Sequence, residues 1–128
     1  MIELMCQMHI YLNHAPRFER EGLCKTIREK ELEMYGLLVE CKKRYYAKTT
    51  LTKLDICHEQ LRALVLVYHR LGYFDYHKQK EMHDAATALR RFTTINYMIN
   101  EIGAMIGGIM KSLKAEMAEK SADKAFKG

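Results

Sequence analysis

From Met82 to Leu113, apolar side chains return every three or four residues: Met82, Ala85, Leu89, Phe92, Ile95, Ile99, Ile102, Ile106, Ile109 and Leu113. That step keeps them on one face of a helix, so a helix of about nine turns with one buried stripe is predicted. A face that long needs partners along its whole length. The 128-residue chain holds a single proline, Pro16, so little in it breaks helices. The partners are therefore expected to be other helices rather than short strands.

Two stripes upstream supply them. Leu23, Ile27, Met34, Leu38, Cys41 and Tyr45 trace one helix face, interrupted at Lys48, Thr49 and Thr50. Leu54, Cys57, Leu61, Leu64, Val65, Tyr68 and Leu71 trace the next. Thr52, with Asp55 three residues on, is expected to cap the start of that helix, and Gly72 to end it. Residues 1–12, carrying Leu4, Met8, Tyr11 and Leu12, form a short first helix that stops in "NHAPRFER", with Pro16 at the first turn of the second. The short helix either spans part of the bundle or lacks part of its length in this chain. Short connections join antiparallel neighbours. The predicted fold is an all-α, antiparallel four-helix bundle over residues 1–114, with a short first helix and a long fourth. A polar tail, 115–128, is expected to fray.

A 48% hydrophobic composition is enough for such a core. The net charge of +5 suits a nucleic acid or an acidic protein partner, and equally a basic solvated surface. Cys6, Cys24, Cys41 and Cys57 form no CxxC pair and no zinc-site spacing. The N-terminus lacks a secretory pattern, and no apolar run reaches the ~20 residues of a membrane span. A reduced cytoplasmic protein with buried thiols, in a bacterial or phage-infected bacterial cell, is expected.

Catalytic constellations are absent from the sequence. "HEQLR" (His58 to Arg62) lacks the second histidine of a zincin motif, and no Glu-x-x-His pair exists for a di-metal centre. Asp75, His77, His83 and Asp84 gather in one connection, but the histidines are six apart and fall on different faces of any helix. They are read as surface residues. No catalytic residue, metal or cofactor is expected.

The basic clusters carry more. Lys42, Lys43, Arg44 and Lys48 lie beside Tyr45 and Tyr46, with Lys53 close by; Arg90, Arg91, Lys111 and Lys114 follow on the long helix. These nine are the candidate nucleic-acid contacts, in which phosphate would dominate and binding would fall steeply with salt. The same cations at a helix C-terminus also complement its dipole. Arg62 likewise has two readings: an ion pair along its own helix with Asp55 and Glu59, or an interface arginine. "NEIGAMIGGIM" places Gly103, Gly107 and Gly108 inside the long helix, where each costs roughly 0.8–1 kcal/mol against alanine. Gly103 and Gly107 share a strip beside the apolar stripe, so close helix packing is expected there, within the subunit or between subunits. Gly107 and Gly108 together also permit a bend.

Three stretches, "APRFERE", "KTTLTKLDICHEQLR" and "NEIGAMIGG", resemble in order and spacing the accessory variability determinant family of diversity-generating retroelements. The wider family includes proteins encoded in ribosomal RNA intervening sequences, and the resemblance covers roughly residues 10–113. It implies a homopentamer of four-helix subunits with a basic surface. The implied partners are the element's reverse transcriptase and its template-repeat RNA, with cDNA a further candidate. The protein would be an accessory to mutagenic copying and not the polymerase. Arg62 would be the partner contact, and Gly103 and Gly107 would lie at the bundle or pentamer seam. The alternative is an interaction scaffold of the intervening-sequence type, with no reverse-transcriptase partner.

Overall fold

The computed structural model describes residues 1–43, 48–76 and 84–127, with side chains up to residue 122. It is an all-α four-helix bundle with a long final helix. The helices are α1 (Ile2–Leu12), α2 (Leu23–Lys43), α3 (Lys48–Arg70) and α4 (Ala85–Lys127). Two 3-10 turns, Arg17–Glu19 and Tyr73–Asp75, sit in the connections. No strand occurs among the described residues.

Cross-helix contacts fix the directions. His58 of α3 meets Ile99 of α4, and His69 stacks on Phe92, so α3 and α4 run antiparallel. The Cys57 thiol of α3 donates to the carbonyl of Lys30, and the Lys30 ammonium reaches Gln60 at 2.7 Å, which aligns α2 with α3. Met1 and Ile2 lie beside Leu38, Val39 and Met105, while Tyr11 lies under Arg91, so α1 runs against α2 and α4.

The predicted stripes supply most of the core: Leu4, Met8 and Leu12; Ile27, Met34 and Cys41; Leu54, Cys57, Leu61, Val65 and Tyr68; Ile95, Ile99, Ile102 and Ile106. The two ends of the bundle differ. At one, Tyr68 and Phe74 are fully buried, with rings edge-on at 4.9 Å, and the Tyr68 hydroxyl donates to the carbonyl of Tyr11 at 2.7 Å. Gly72 lets the chain enter this aromatic plug, because its φ of 79° is a left-handed conformation that side chains disfavour.

Several local expectations are corrected. The third helix starts at Lys48, so Thr52 is not its cap; the Thr52 hydroxyl donates back to the Lys48 carbonyl at 2.8 Å. Pro16 precedes the 3-10 turn, and α2 begins only at Leu23. In the first turns of α4 the buried residue is Ala88, whereas Ala85 and Leu89 are exposed. A three- or four-residue step back from Phe92 reaches either Leu89 or Ala88, and the rotation of the helix selects Ala88. The tail stays helical to Lys127, although residues 114–122 are exposed throughout. Of the thiols, Cys24, Cys41 and Cys57 are buried, and Cys6 is exposed.

Candidate nucleic-acid and partner interface

Lysines occupy the end opposite the aromatic plug. Lys42 and Lys43 close α2, Lys48 opens α3 and Lys53 follows one turn later; all four are exposed. The α3–α4 pairings His58–Ile99 and His69–Phe92, continued at 1.5 Å per residue, bring the start of α3 opposite roughly residues 110–113 of α4. Exposed Lys111 and Lys114 therefore join the same end. Among the described residues none of these six ammonium groups is held in an ion pair. The fold thus brings lysines from three helices to one end. Arg44, assigned to the same cluster, lies outside the described residues, as do Tyr45, Tyr46, His77, Met82 and His83.

The two remaining basic candidates stand apart. Arg90 is exposed but lies about 30 Å from Lys111 along the helix. Arg91 departs from the nucleic-acid assignment. Its guanidinium donates to the Phe74 carbonyl at 2.6 Å and lies 5.6 Å from the Tyr11 ring centroid, tying α4 to the aromatic plug.

Arg62 forms the expected ion pair along its own helix with Glu59 and also reaches α4. Its Nε is 3.8 Å from a Glu59 carboxylate oxygen on its own helix, and its Nη1 donates to the Asn100 side chain across on α4. The side chain is 37% exposed at the α3–α4 seam, with its Nε buried.

The glycines separate into two kinds. A Cβ on Gly103 would stand 2.7 Å from His58 Cε1 and 2.9 Å from its Nε2, closer than atoms can pack. His58 is 2% exposed, and its Nε2–H donates to the Ile99 carbonyl at 2.7 Å. That carbonyl is also the helical acceptor for the Gly103 N–H. Gly103 thus lets a buried imidazole lie against the backbone of α4. Gly107 and Gly108 have no neighbour within 4 Å, and both are exposed. Close packing within the subunit is confined to Gly103.

Beside the lysine end runs a groove of about 470 Å³, lined by Met1, Ile2, Tyr35, Val39, Lys42 and Met105 among others. Ile2, Tyr35, Val39 and Met105 are 62%, 38%, 41% and 49% exposed, an apolar surface of the kind that partners cover. Asp84, grouped by the sequence with the histidines, instead caps α4, accepting from the Ala86 N–H at 3.1 Å and the Thr87 hydroxyl at 2.6 Å. The Thr87 bonds, chiefly, hold its carboxyl below the usual range. No group of three or more metal-ligating side chains converges among the described residues. No helix among them is long and apolar enough to cross a membrane.

The residue that sequence reasoning missed is Glu31. It is buried on α2 between Ile27 and Met34, at 4% exposure. The signal was a gap: the stripe leaps from Ile27 to Met34, and the omitted position on that face holds a carboxylate.

Fold and surface together define a small helical bundle with lysines at one end and an exposed apolar flank. The chain matches no family model, no curated protein and no solved structure.

Proposed function

We propose that this protein is a non-enzymatic, cytoplasmic accessory factor of a diversity-generating retroelement, binding the element's reverse transcriptase and template RNA as a homo-oligomer. The observation that carries the reading is the six lysines, unpaired among the described residues, that three helices gather at one end of the bundle. Phosphate recognition needs several cations within reach of one strand, and their counterion release makes binding salt-dependent. The exposed apolar groove beside them supports a protein contact, and the open strip at Gly107 and Gly108 supports close approach by another helix. In the pentamer implied by the family resemblance, five copies at +5 each carry +25, so weak phosphate contacts would reinforce one another. Arg62, partly exposed at the α3–α4 seam, is the proposed contact to the enzyme.

Substituting Lys42, Lys43, Lys48 and Lys53 with glutamate tests the reading directly. Template RNA binding is expected to weaken more than about tenfold, and the slope of log affinity against log salt to flatten by roughly 2–3, at about 0.7 per lost phosphate contact. Arg90→Glu, distant from this end, should leave the slope nearly unchanged. An unaltered slope in the quadruple variant would remove the lysine end from the proposal. The gene's surroundings test the biological setting. A reverse-transcriptase frame and two near-identical repeats differing at adenines are expected beside it, whereas a position inside a ribosomal RNA locus would replace this function with the scaffold alternative.

A further inference from the structure

Between α1 and α2 lies a second groove, of about 400 Å³, lined by Met5, Cys6 and His9 from α1 and by Arg28, Glu31 and Leu32 from α2. Its floor is unusual. Glu31 is 4% exposed, and its Oε1 is buried with no hydrogen-bond partner among the described residues. A buried carboxyl oxygen without a donor is costly, because water's hydrogen bonds are lost and nothing replaces them. The nearest cation does not supply the bond: Arg28, three residues earlier, directs its guanidinium to the Asn13 side-chain oxygen at 3.3 Å.

We propose that this groove is a binding site for an organic cation, a guanidinium or ammonium group on an apolar stem, with Glu31 as its charge partner. The chemistry of the lining selects that class. Arg28 also lines the groove, but its guanidinium is engaged by Asn13, so the unpartnered group that a ligand would satisfy is the Glu31 carboxyl. A metal ion would need several converging ligands, which the described residues do not provide. A guanidinium satisfies the carboxylate with charge-assisted bonds, while its stem lies along Met5 and Leu32. The site is independent of the retroelement reading, since it uses none of the lysines.

Binding is linked to pH. Burial pushes the Glu31 carboxyl up from 4.5 to about 8, with the Arg28 charge opposing the rise. A cation that takes the carboxylate must displace its proton, so affinity should climb with pH and level off above about 8. The other titratable groups lining the groove are Cys6 and His9 from α1; no charged side chain of α3 or α4 lines it among the described residues.

The probe is pentylguanidinium, whose charge stays constant over this range. Its binding is followed by the NMR shift of the Met5 methyl. The wild-type shift is expected to saturate, with affinity rising by up to about tenfold from pH 6 to pH 7. Glu31→Gln should bind at least about tenfold more weakly, with no such pH dependence. Arg28→Gln, which removes the repelling charge, should bind more tightly at pH 9 and serves if the glutamine variant of Glu31 fails to fold. Repeating the titration at several protein concentrations identifies the source of the natural cation. Constant affinity supports a free organic cation, and affinity that falls with protein concentration supports a lysine or arginine side chain of a second copy held by Glu31. Absence of a saturable Met5 shift, or equal binding by Glu31→Gln at pH 8, would overturn the proposal.

Discussion

Alanine in place of Gly103 should destabilise the bundle, although alanine is the better helix former. The new methyl group would sit 2.7 Å from Cε1 and 2.9 Å from Nε2 of His58, an imidazole that is 2% exposed. Forcing an extra carbon into a packed interior costs about 1–3 kcal/mol. Displacing the ring also stretches its 2.7 Å bond to the Ile99 carbonyl. A buried ring N–H left unsatisfied costs a further contribution of about 1–3 kcal/mol. Against this, helix propensity returns about 1 kcal/mol. The net loss is therefore roughly 3 kcal/mol, or a fall in Tm on the order of 10 °C for a chain of this size. Urea unfolding followed by circular dichroism should show a lower midpoint with an unchanged slope. Gly107→Ala and Gly108→Ala meet no atom within 4 Å, and each should gain about 0.5–1 kcal/mol from propensity alone. The combination of Gly103→Ala with His58→Ala supplies the control, because the added methyl should cause little further loss once the ring is gone. A Gly103→Ala protein as stable as wild type, or Gly107→Ala losing as much, would refute the reasoning.

Glu31 also makes global stability depend on pH. Its carboxyl titrates higher in the folded chain, at about 8 against an ordinary 4.5, so the folded state holds the proton more tightly. Stability should be greatest below the unfolded value and decline as pH rises through about 8, with a ceiling of roughly 5 kcal/mol at about 1.36 kcal/mol per pH unit. Chemical unfolding at pH 5 and pH 9 should reveal that decline in wild type and its disappearance in Glu31→Gln. Arg91→Ala should lower stability by about 1–3 kcal/mol through the lost Phe74 carbonyl bond and Tyr11 ring contact, whereas Arg90→Ala should stay within about 0.5 kcal/mol of wild type. Thermal melts of the two variants compare them directly, and equal losses would mean that Arg91 does not anchor the aromatic plug.

Periodicity by itself determined that this chain is a helical bundle with a long last helix. Ile95, Ile99, Ile102 and Ile106 repeat at the pitch of one face, and Gly72 marks a helix end through its own backbone preference. These are properties of a single segment and can be read without knowing its neighbours. The local lysine clusters were legible for the same reason; their placement at one end was not, because Lys111 and Lys114 come level with the start of α3 only through the register of two antiparallel helices. Register and rotation likewise chose Ala88 over Leu89, drew Arg91 into the aromatic plug, and placed Glu31 inside. Gly103 and Gly107 look alike in sequence, four residues apart on one strip. Only the approach of His58 from α3 distinguishes them, since whether a Cβ is tolerated depends on atoms that another helix brings to that point.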